Sequence, residues 1–135
     1  MPKSALALLT PCPAVCSCPG KVGVRTLQTA DGKAYTEIGY DFDKQAFYAD
    51  HSACCSKPNA IVQRAPLPAS QLGPAFSITA FVDGGLIEAF GGGKVITPLV
   101  APDPTQGAPE DRISSITNSA NPAVTCTLDS WELKY

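Results

Sequence analysis

The stretch FSITAFVDGGLIEAFGGGKVIT, residues 76–97, decides the fold. Phe76, Ile78, Ala80 and Val82 alternate with Ser77, Thr79, Phe81 and Asp83, the period of a strand with one buried face. Gly84-Gly85 supplies a two-residue turn, and LIEAF runs back. Pairing Asp83 with Leu86 places Val82 opposite Ile87 and Ala80 opposite Ala89. Both pairs are apolar, so one face of the hairpin is a core face. The glycines at 91–93 make a second turn into KVITPLV, where Pro98 marks an edge strand or its end.

The same reading extends outward along the chain. In KVGVRTLQT, Val22, Val24 and Thr26 share a face and Arg25 takes the other. Asp31-Gly32-Lys33 signals a turn, and in AYTEIGYD the residues Thr36, Ile38 and Tyr40 fall together. AFYAD, AIVQR and a closing AVTCTLDSWELKY, read as two short strands or one bent one, complete the set. In the last of these Trp131, Leu133 and Tyr135 share a face. APLPASQLGP and APDPTQGAPEDR read as connecting segments. No segment keeps a helical period over three turns. The expected fold is all-β, an antiparallel β-sandwich, incomplete at its N-terminal strands and so open to self-association along an unpaired edge.

Composition agrees with one such domain. The 135 residues are 44% hydrophobic and 16% charged, with 13 prolines, 11 glycines and a net charge of −2. That balance excludes disorder and gives no electrostatic drive toward nucleic acid or an acidic membrane. No apolar run reaches the ~18 residues a membrane helix needs. Residues 1–21 read as an irregular leader rich in cysteine and proline, with the sandwich over 22–135. Its apolar run Ala5–Leu9 follows Lys3, but Pro11 and Pro13 interrupt what a secretory signal would require. Cys12, Cys16, Cys18, Cys54, Cys55 and Cys126 are disulfide candidates whose pairing the sequence leaves open. Their spacing is not that of a zinc site, and no metal or cofactor is expected.

The chemistry suggested by this sequence thins out under scrutiny. GGGK lacks the upstream glycine and following Ser or Thr of a phosphate loop, since Glu88 and Val95 stand at those positions. Asp83 and Glu88 are diagonal neighbours on the hairpin's outer face, their side chains about 5–8 Å apart. Retaining glycosidases hold their carboxyls roughly 5–5.5 Å apart, but a two-turn hairpin offers neither cleft nor buried acid. The pair reads as a solvated face or a domain contact. His51, the one histidine, neighbours Ser52 and Cys54 without an identifiable orienting group. Asp41 and Asp43 read as turn residues rather than calcium ligands. Phe81, Phe90 and Trp131, with Tyr35 and Tyr135, are the aromatic residues that could stack on a sugar.

Three stretches together resemble the C-terminal β-sandwich of glycoside hydrolase family 32, the invertases, inulinases and levanases. TEIGYDFDKQAFYADHS (36–52) is similar to that domain's "iGYD … DRS" segment, with His51 where the family has Arg. Residues 76–97 resemble its hairpin "l.ifvD.s.vEvF..ng..v.T" through Asp83, Glu88, Phe90 and Thr97, with Gly84-Gly85 in place of a Ser-containing turn. CTLDSWEL (126–133) resembles the closing "l..W.L" strand. The resemblance implies a structural role for the hairpin motif and a module that packs on a catalytic β-propeller. It further implies a fructan- or sucrose-type carbohydrate nearby and an extracellular or vacuolar location. The family's catalytic residues lie in NDPNG, RDP and EC motifs. None of these occurs here, and Asp103-Pro104 follows Pro102 rather than Arg. The resemblance therefore implies no catalytic residue in this chain, which is expected to be inactive alone as a detached or split piece of a longer gene. A stand-alone carbohydrate-binding module is the alternative.

Overall fold

The computed structural model describes residues 3–10, 20–54, 61–73, 75–100, 114–116 and 125–132. Ten strands form two five-stranded antiparallel sheets packed face to face. They are β1 (Lys3–Thr10), β2 (Lys21–Thr26), β3 (Thr36–Asp41), β4 (Ala46–Asp50), β5 (Val62–Pro66), β6 (Phe76–Asp83), β7 (Leu86–Gly91), β8 (Lys94–Ile96), β9 (Ser114–Ile116) and β10 (Thr125–Glu132). The first sheet has the order β10-β1-β6-β7-β8 and the second β5-β4-β3-β2-β9.

The hairpin register is the one that its alternation dictates: Asp83 pairs with Leu86, Val82 with Ile87 and Ala80 with Ala89. Gly84 takes a φ of 57°, and Gly92 and Gly93 take 56° and 75° in the second turn, conformations that a side chain disfavours. β8 is an edge strand and ends at Ile96, two residues before Pro98. Phe76, Ile78, Ala80, Val82, Ile87, Ala89 and Ile96 line the inner face of the first sheet. Val22, Val24, Ile38, Tyr40, Phe47 and Ala49 line that of the second. Tyr40 meets Phe76 across the interior, with ring centroids 5.7 Å apart.

One expectation changes. Lys3–Thr10, read as part of an irregular leader, form β1 and pair with both β10 and β6. Its apolar run lacks the period-2 alternation that marks a half-buried strand, so it escapes a pattern search. The N-terminal side of the sandwich is thereby supplied with a strand. Residues 125–132 form a single strand, the second of the two forms that the sequence allowed. Leu133, Tyr135, Asp103 and Pro104 lie outside the described residues, as do Cys12, Cys16, Cys18 and Cys55.

The connector from β5 to β6 is anchored, not slack. Leu67 and Leu72 are buried, and a single 3-10 turn spans Ala69–Gln71. The buried Tyr40 hydroxyl donates to the Leu67 carbonyl at 2.6 Å. The β2–β3 pairing is unusually close. A Cβ on Gly23 would fall 2.1 Å from the Ile38 carbonyl oxygen, which is why this position and Gly39 opposite carry no side chain. Tyr48 stands opposite Gly39 on β4 and is buried, although it faces away from the core. Lys21 Nζ lies 5.0 Å from its ring centre, and burial, then Glu37, pushes its hydroxyl pKa far up.

Candidate functional site: the outer face of the hairpin sheet

The motif residues separate by the pleat. Asp83, Glu88, Phe90 and Thr97 all point outward from the first sheet. Phe81 stands directly opposite Glu88, and Asp83 is opposite Leu86, so the two carboxylates are diagonal neighbours in the observed register. Both are exposed, and neither has a hydrogen bond or ion pair among the described residues. Both carboxylates therefore face solvent on the outer side of the hairpin.

Three of the aromatic candidates, Phe81, Phe90 and Trp131, gather on the same face. The Phe81 and Phe90 rings meet edge to face, their centroids 6.0 Å apart. Ser4 pairs with Phe81 on one side and with Trp131 on the other, so Trp131 lies in the same register row two strands away. Two strand spacings amount to roughly 10 Å. Tyr35 is elsewhere, under the Arg25 guanidinium at 4.0 Å; Arg25 in turn pairs with Glu37 at 2.9 Å.

Sequence reasoning missed the aliphatic members of this surface. Leu86 (42% exposed), Val95 (58%) and Leu99 (75%) join Phe90 (39%) and Trp131 (41%) as exposed large apolar side chains. Phe90 pairs with Val95, and Leu86 forms a bridge with Leu99, so four of the five adjoin across β7 and the edge. Of the described residues only Ile61 is a further exposed large apolar side chain. The signal was present: Leu86 and Ile87 are apolar on both sides of the strand, which a solvated outer face does not need.

The remaining candidates have structural partners. Asp41 Oδ1 accepts from the amides of Asp43 and Lys44, and Asp43 Oδ2 accepts from Gly20 N. Both aspartates thus shape the β3–β4 turn. Ser52 donates through N and Oγ to Asp50 Oδ1, at 2.9 and 2.6 Å, which closes the turn after β4. Cys54 is buried and disulfide-bonded, so it is no thiol nucleophile. His51 is buried as well. Among the described residues no three His, Cys, Asp or Glu side chains form a metal-holding group.

The family profile described as "Glycosyl hydrolases family 32 C terminal" matches residues 17–132. The chain belongs to glycosyl hydrolase family 32. Its matched part is the family's C-terminal domain, and the hairpin, the GYD strand and the closing tryptophan strand all fall inside it. The solved exo-inulinase from Aspergillus awamori is similar in fold, with a TM-score of 0.72 and 20% identity. That alignment covers 98% of this chain and 25% of the inulinase chain, so the family-32 domain described here spans about a quarter of that protein's length. No curated protein sequence matches it. The family match extends into residues 17–21, and the structural likeness takes in nearly the whole chain, β1 with it.

Proposed function

We propose that this chain is a non-catalytic sandwich that packs against a family-32 catalytic β-propeller and stabilises it. The propeller, on the same polypeptide or a separate one, would cleave fructan or sucrose. The observation that carries this reading is the collection of Leu86, Phe90, Val95, Leu99 and Trp131 on one outer face. Four of the five adjoin, and exposed apolar side chains gathered on one face favour a docking site. The absence of NDPNG, RDP and EC motifs from the 135 residues supports a supporting rather than a hydrolytic role. The Cys54 disulfide fits an oxidising compartment, the extracellular space or the vacuole.

The test uses the purified chain and the family-32 propeller domain encoded by the same organism. The folded chain alone is expected to leave sucrose and inulin intact. Mixed with the propeller domain, it is expected to run as a 1:1 complex on size exclusion and to raise that domain's Tm. Val95→Lys with Leu99→Glu should keep the fold, since both positions are exposed, and abolish the complex. Hydrolysis by the chain alone, or wild-type chain and propeller domain eluting separately, refutes the reading.

A second reading has its own observation. The Phe81–Phe90 pair borders two carboxylates without partners among the described residues, with Trp131 in the same row two strands away, and rings beside free acceptors suit a neutral sugar chain. Calorimetric titration with inulin oligosaccharides checks it: millimolar or tighter binding lost in Phe90→Ala and Trp131→Ala supports a carbohydrate-binding module, and no heat removes it.

A further inference from the structure

Among the described residues, three buried side-chain polar atoms have no hydrogen-bond partner: Thr26 Oγ1, Thr36 Oγ1 and His51 Nε2. They are not scattered. Thr26 pairs directly with Thr36 across β2 and β3. Glu37 pairs with Asp50, so the next position along each strand sets Thr36 beside His51. Alternation with Val24, with Ile38 and with Ala49 turns all three toward the interior, where Thr26 and Thr36 are 0% exposed and His51 is 5%. The three orphans thus occupy one row across β2, β3 and the end of β4.

We infer that this row is a binding site for one ordered internal water, shared by Thr26, Thr36 and His51. A buried hydroxyl or imidazole nitrogen left without a partner loses its hydration and gains nothing in return. Three such losses in one row would make valine and phenylalanine better choices at those positions. A single water removes all three, because an internal water makes about three hydrogen bonds to polar groups that lack other partners. The donor set also selects water over a metal ion: two neutral hydroxyls and one imidazole offer neither carboxylate nor thiolate.

The site has a structural consequence. His51 opens the turn that carries the disulfide-bonded Cys54, whose amide donates to the His51 carbonyl at 3.2 Å. Tyr35 N donates to Ala53 O at 3.3 Å, the next tie between this turn and β3. A water on His51 Nε2 fastens the turn to β2 and β3 from the inside. It thereby fixes the position from which the disulfide departs.

A crystal structure of the chain at better than 2 Å and the Tm of three variants test the inference. Density for a water within hydrogen-bond distance of all three atoms is expected. Thr26→Val and Thr36→Val should each lower Tm by several degrees, and the double variant by little more than either alone, because both act on one water. Thr36→Ser, which keeps the hydroxyl, should retain the density. An empty row in the crystal, or unchanged or raised Tm in the valine variants, overturns the inference, since removing a truly orphaned hydroxyl relieves a cost. If a valine variant fails to fold, the wild-type density decides alone.

Discussion

Tyr40→Phe isolates one hydrogen bond without disturbing the packing around it. The Tyr40 ring is fully buried, edge-on to Phe42 at 4.9 Å and to Phe76 at 5.7 Å, and phenylalanine fills the same space. What is lost is the 2.6 Å bond from the hydroxyl to the Leu67 carbonyl. That carbonyl belongs to a buried residue, so it is left without its donor rather than returned to water. Leaving a buried acceptor unsatisfied costs about 1–3 kcal/mol. A loss of about 2 kcal/mol lowers Tm by roughly 6–10 °C in a domain of this size. Urea and thermal unfolding followed by circular dichroism measure it. The same residue gives a pH signature. Burial, then the neighbouring Asp41, raises its pKa from 10.0 to about 12. The folded chain therefore holds this proton after the unfolded chain has released it. The stabilisation is complete below pH 10 and is lost as pH rises from 10 through about 12. Tyr40→Phe should flatten the alkaline decline as well as lower Tm at neutral pH. An unchanged Tm, with the wild-type slope above pH 10, would refute the argument that this hydroxyl ties the β5–β6 connector to the core.

Three further outcomes follow from the geometry. Gly23→Ala should destabilise by about 1–3 kcal/mol or prevent folding, because the new Cβ meets the Ile38 carbonyl at 2.1 Å and strand backbone cannot yield as a side chain would; urea midpoints check it. Ile87→Ala, at a 0% exposed position opposite Val82, should cost about 2–5 kcal/mol by leaving a cavity between the sheets, again read from urea unfolding. Asp83→Asn and Glu88→Gln should each shift stability by less than about 0.5 kcal/mol, since both carboxylates are exposed and without partners. A larger change in thermal denaturation would mean that the hairpin motif carries an interaction that its register does not reveal.

Much of the hairpin was legible because its two signals are local. Strict alternation from Phe76 to Val82 fixes the faces, and glycines at the turns fix the register, since a one-residue slip would put Val82 and Ile87 on opposite sides. The turn roles of Asp41 and Asp43 were legible for the same reason. The candidate site was legible only in part. Asp83, Glu88, Phe81 and Phe90 could be put on one face from a single hairpin, whereas Trp131 joins them only through β1. Residues 3–10 were misread because their apolar run has no alternation between the prolines at 2 and 11.

The sequence by itself determined the strand faces, the two glycine turns, the all-β class and the family, because each rests on residues close in the chain or on a motif. Only the tertiary structure decided which strands are neighbours, and with that three things. It put β1 between β6 and β10, it gathered five apolar side chains on one outer face, and it aligned Thr26, Thr36 and His51 in one buried row. Period-2 patterning says that two residues share a side of their own strand. It says nothing of which strand lies alongside or which side meets the other sheet, because those are settled by long-range pairing and by burial of the whole chain at once.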